Sequence, residues 1–73
     1  MKTYLQVLFN AEGARPSEVH ERLQGLGFEA TTGAHDFVYN WPNSARVQEV
    51  LDFGDQIQAA LQGTGCLFEM ETI

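Results

Sequence analysis

Cysteine is almost absent from this chain. Cys66 is the only one, so no internal disulfide can staple the fold, and it falls in an apolar strand pattern where a buried, reduced thiol is the usual outcome. A reducing compartment follows as the expectation. Basic residues are nearly as scarce: Lys2, Arg15, Arg22 and Arg46 stand against ten acidic residues, a formal charge of −6. They do not cluster as the neutralisation of successive phosphates requires, which disfavours nucleic acid and an anionic membrane surface as partners. No stretch approaches the ~20 apolar residues needed to cross a bilayer, and no charged segment followed by an apolar run opens the chain. The expected location is cytoplasmic.

What is present is ordinary globular material, with 44% hydrophobic and 11% aromatic residues. Seventy-three residues without a linker or low-complexity stretch read as one domain, 1–73, with one small core. A chain of this size buries only about 60–65% of its unfolded surface, so its stability should be modest or shared with a partner.

The hydrophobic periodicity alternates as strand, helix, strand, strand, helix, strand. Tyr4 to Phe9 has period two, with Leu5, Val7 and Phe9 on one side. Asn10 to Arg15 reads as a loop, Pro16 and Ser17 as a helix start, and Val19, Leu23 and Leu26 as its apolar stripe, with Gly27 placed to cap it. Phe28–Thr32 and Phe37–Trp41 read as a hairpin around the turn Gly33 to Asp36. Pro42 stops the second strand, Asn43 or Ser44 is the expected cap of a longer helix, and Val47, Val50, Leu51, Gly54, Ile57 and Leu61 are its expected inward stripe. Gly54 on that stripe predicts a close approach of helix to sheet. After Gly63 to Gly65, Cys66–Ile73 forms the last strand.

This βαββαβ order resembles the ferredoxin-like split βαβ superfold, which implies an α+β two-layer sandwich whose antiparallel sheet runs 4-1-3-2 with both helices on one face. Leu5, Val7, Phe9, Tyr39, Trp41, Phe68 and Met70 would then face the helices. The other face would carry Gln6, Leu8, Glu29, Thr31, Val38, Asn40, Leu67, Glu69 and Glu71, with Leu8, Val38 and Leu67 as an apolar patch rimmed by carboxylates. Such a patch is a natural contact for another protein or for a second copy of the chain.

Three smaller families share the layout and bear on chemistry. The heavy-metal-associated domain is similar in length and element order, but its two-cysteine motif has no counterpart in Asn10 to Arg15, so no metal is expected. His20, His35 and Cys66 show no ligand spacing, and nothing local activates Cys66 as a nucleophile. Acylphosphatase is similar in fold and relies on a loop arginine and a sheet asparagine, for which Arg15 and Asn40 stand in loosely matching places. Domains of the ACT type resemble the chain through a glycine at the first turn, here Gly13, and bind small effectors at subunit interfaces. The physical content shared by the last two is an anion site, Gly13, Arg15 and Ser17, where backbone amides at a helix start would add to an arginine. Glu49, Asp52 and Asp55 form an acidic helix face, which reads as solvated. The expected function is a non-enzymatic interaction or oligomerisation domain without cofactor, with a small-anion or effector site as the alternative and an acylphosphatase-like hydrolase as its extreme form.

Overall fold

The computed structural model describes residues 1–73, and it consists of four antiparallel strands and two helices. Strand β1 is Lys2–Leu8, helix α1 Pro16–Gly25, β2 Glu29–Ala30, β3 Phe37–Asn40, α2 Val47–Leu61 and β4 Leu67–Thr72. The sheet order is β2-β3-β1-β4. β1 is interior, paired with β3 and β4 on its two edges, and one of its faces is covered: Thr3, Leu5 and Val7 are buried while Lys2, Gln6 and Leu8 point to solvent. Both helices close the same core, where Val19 and Leu23 of α1 meet Phe53, Ile57 and Leu61 of α2 over Leu5, Val7, Phe28 and Phe37.

The first strand starts earlier than its periodicity suggests and loses Phe9. Lys2 and Ile73 exchange both backbone hydrogen bonds at 2.9 Å, which extends β1 toward the N-terminus. Phe9 lies past the last paired residue and is exposed, because the chain there leaves the sheet for a turn in which the Asn10 side chain accepts the Glu12 N–H at 3.0 Å. Gly27, at φ +100°, ends the α1 segment as expected, and a Cβ there would also meet the Tyr39 ring at 2.9 Å.

Helix α2 differs from expectation in its start and in its rotation. Asn43 and Ser44 do not cap it; Arg46 does, with its carbonyl accepting the Val50 N–H at 3.1 Å and its own N–H reaching Glu49 Oε1 at 3.4 Å. The delay has a local cause, since the Trp41 N–H is still bonded to the Met1 carbonyl at 3.1 Å and the chain needs residues 42–45 to climb from sheet to helix layer. The buried stripe is Phe53, Ile57 and Leu61, whereas Val47 is 77% exposed and Leu51 58% exposed. Two overlapping apolar stripes were available on this helix, and the aromatic one is buried. Phe53 stacks on Phe28 at 5.4 Å and contacts Tyr39 at 4.6 Å and Trp41 at 5.3 Å, gaining apolar area and ring–ring contact that Leu51 cannot match. Gly54 does mark a close approach: a Cβ there would lie 3.2 Å from the Met70 sulfur.

Polar groups inside are few and all are satisfied. Thr3 is fully buried, accepting the Trp41 indole N–H at 2.8 Å and sharing a hydroxyl hydrogen bond with Thr72 at 2.8 Å. The Asp36 carboxylate accepts the Val7 N–H at 2.8 Å, so it serves as the ladder partner that β1 lacks once β3 has ended at Phe37. Arg22 reaches from α1 to the end of α2, donating to the carbonyls of Ala60 at 3.0 Å and Gln62 at 3.1 Å, where a cation opposes the negative end of the helix dipole.

The rotation of α2 makes a prediction opposite to its apparent hydrophobic stripe. Phe53→Ala should cost about 3–5 kcal/mol, the range for emptying a buried aromatic site, and Leu51→Ala less than about 1 kcal/mol. Urea denaturation of the two variants checks this, and comparable losses would mean that the helix is seated differently.

Candidate functional site

Four surfaces collect the residues that could carry function. The first is the sheet face away from the helices. Pairing places Leu8 directly opposite Leu67, and they are 64% and 69% exposed. Val38 is not with them: it stands opposite Tyr4, four residues back along β1 and about 13 Å away, with Gln6 and Glu69 in the intervening row. The expected patch is therefore two separate ones. Beside Tyr4 lies His35, its ring 4.8 Å from the tyrosine ring and its Nε2 3.4 Å from the Glu71 carboxylate.

The second surface is the outer edge of β4. Lys2 and Ile73 form a doubly hydrogen-bonded pair, so by antiparallel alternation Glu71, Glu69 and Leu67 also turn their backbone groups toward β1. Phe68, Met70 and Thr72 then direct N–H and C=O outward, where no strand follows β4 in the sheet. Apolar side chains flank this edge on both layers, with Leu8 and Leu67 on the open face and Leu51, Phe68 and Met70 lining a groove on the helix side.

The loop Asn10–Ser17 is the third surface. Gly13, Arg15 and Ser17 are all exposed along it. Gly13 has no left-handed backbone; it is needed because a Cβ would collide with the Thr64 carbonyl oxygen, the same oxygen that accepts the Ala14 N–H at 3.0 Å. Thr64 itself is fully buried, its hydroxyl donating to the Leu61 carbonyl and accepting the Cys66 N–H at 3.2 Å. Arg15 is the residue before α1, and its carbonyl accepts the Glu18 and Val19 N–H groups at 3.0 and 3.1 Å. Its guanidinium makes no ion pair or hydrogen bond, and Glu18 puts a carboxylate in the same helical turn. Asn40 stands opposite Lys2, whereas the Arg15 loop follows Leu8, so the two residues lie at opposite ends of β1, about 20 Å apart. They cannot share one phosphate, which removes the acylphosphatase-like pairing.

The fourth surface lies between β3 and α2. Tyr39, Trp41 and Phe53 line a shallow cavity of about 350 Å³ together with Leu26, Glu49, Asp52 and Gln56. Tyr39 and Trp41 meet at 90° and Trp41 and Phe53 at 70°, so the rings form a corner. The acidic face of α2 is thereby divided, with Glu49 and Asp52 at this corner and Asp55 in the groove beside β4. No side-chain signal in the sequence marked this corner, because it depends on Phe53 facing inward. The remaining candidates stay dispersed. His20 packs on the inward-facing Phe37 at 5.7 Å, His35 lies on the opposite face of the sheet, and no three His, Cys, Asp or Glu side chains come together as a metal site.

Gly13→Ala gives a direct test of the loop's clasp onto Thr64. The methyl group would collide with a backbone oxygen that cannot move away alone, so the variant should lose about 1–3 kcal/mol in chemical denaturation. A neutral result would show that the loop is not held against the end of α2.

No helix is long and apolar enough to cross a membrane. Comparison of the chain with protein-family models, with curated proteins and with solved structures found no match.

Proposed function

We propose that the chain is a ferredoxin-like domain that acts without catalysis, taking a segment of another protein as an added strand along β4. Support for the fold assignment comes from the sheet order β2-β3-β1-β4 and from the single core to which both helices contribute. The observation that carries the functional reading is the free edge itself: outward backbone groups of Phe68, Met70 and Thr72 between apolar side chains on both layers. Strand addition of this kind takes its affinity from main-chain hydrogen bonds and its selectivity from alternate side chains.

The chemistry of the partner follows from charge. Glu69 and Glu71 project to the open face along β4, while Phe68 and Met70 project to the helix side. A segment that alternates Lys or Arg with apolar residues complements both rows. A second copy of the chain complements them less well, because self-pairing of β4 brings Glu69 and Glu71 of both copies together in a protein already at −6.

The test uses a six-residue capped peptide of alternating lysine and valine, with a glutamate–valine peptide as control. The basic peptide should slow hydrogen exchange of the Phe68, Met70 and Thr72 amides, leave those of Leu67, Glu69 and Glu71 little changed, and bind more weakly as salt rises. Unchanged exchange at saturating peptide would refute the reading. Protection of the same three amides that grows with protein concentration, without peptide, would replace the basic partner by a second copy.

A further inference from the structure

We infer that the aromatic corner between β3 and α2 binds a quaternary ammonium group. The face of an aromatic ring carries negative charge density, so a cation seated over it is attracted, and several rings meeting at large angles offer faces from several sides of one volume. Tyr39 and Trp41 meet at 90° and Trp41 and Phe53 at 70°, Tyr39 and Phe53 are tilted by 42°, and all three line the cavity, with Phe53 as the buried floor and the half-buried Tyr39 and Trp41 as walls.

The walls are fixed before anything binds. The Trp41 indole N–H is held by Thr3 Oγ1 at 2.8 Å, which sets the plane of the ring, and Tyr39 lies against the backbone of Gly27, where a Cβ would come within 2.9 Å of its ring. Preorganisation of this kind removes the ordering cost that weakens binding at flexible surfaces.

Glu49 and Asp52 line the same cavity and supply formal negative charge. Neither has a cationic partner, since the ion pairs of the chain are Arg22 with Glu18 and His35 with Glu71. Asp52 accepts only a hydrogen bond from Gln48, at 2.9 Å. Two carboxylates beside Leu26 and three rings are a poor cage for a hard cation such as calcium, which takes about six to eight oxygen ligands. They suit a weakly hydrated cation with an apolar surface, whose methyl groups contact the rings while its charge faces the carboxylates.

Trp41 is the only tryptophan, so its emission reports on this corner alone. Choline and an N-acetylated trimethyl-lysine amide are titrated against 3,3-dimethylbutan-1-ol, a neutral molecule of the same shape as choline, and against sodium chloride at equal ionic strength. At least one of the quaternary compounds should shift the emission saturably and bind about tenfold more tightly than the neutral alcohol. The tighter of the two identifies the source, a free small molecule or a modified side chain of a protein. Tyr39→Leu should abolish the shift, and because that variant can also loosen the core, Glu49→Gln with Asp52→Asn on the exposed helix face provides the second arm, with affinity lowered about fivefold and folding intact. Equal responses to the quaternary compounds and the neutral alcohol, or full affinity in the doubly neutralised variant, would overturn the inference.

Discussion

The seat of Phe53 among Phe28, Tyr39 and Trp41 is the contact from which the rest of the surface chemistry follows. A helix presents about one third of its circumference to a sheet, and a single large ring decides which third. With Phe53 inward, Ile57 and Leu61 continue the buried stripe, Leu51 turns toward the β4 groove, and Glu49 and Asp52 arrive at the rim of the aromatic corner. Rotating α2 to bury Leu51 would pull Phe53 from its neighbours and scatter both surfaces.

A core this small gains from polar clasps placed where apolar packing runs out. Thr3 ties β1 to β4 through Thr72 and to the end of β3 through Trp41, Asp36 completes the ladder of β1, and Thr64 holds the first loop against the end of α2. Each bond contributes on the order of 1 kcal/mol net, but an unmet buried partner costs about 1–3 kcal/mol. The clasps act less as sources of stability than as penalties against other arrangements, which matters where total burial is limited.

The element order and types were legible in the sequence because period-two and period-3.6 patterns are local. Most inward residues of β1, α1 and β3 followed from the same patterns. The rotation of α2 was not legible: Val47, Val50 and Leu51 form as good a stripe as Phe53, Ile57 and Leu61, and the deciding partners, Phe28, Tyr39 and Trp41, are distant along the chain. Asn43 and Ser44 have the chemistry of caps, yet the chain is still bonded to the sheet at Trp41 and passes through them on its way to the helix layer. The separation of Val38 from Leu8 and of Asn40 from Arg15 depended on register, which strand pairing sets and composition does not. Gly13 was noticed as a turn residue, while its actual role, room for the Thr64 carbonyl, is a contact with a residue far along the chain.

The pairing of β1 with β4 also governs the order in which the molecule can be completed. Within the domain β1 precedes both of its partners and β4 follows every other element, so the β4 side of β1 stays open until the rest of the domain is in place. Closing so long a loop carries an entropic cost, which slows folding relative to a domain built of local contacts alone. Until β4 pairs, β1, with Leu5, Val7 and Leu8, presents an unpaired edge that another strand could take as a template.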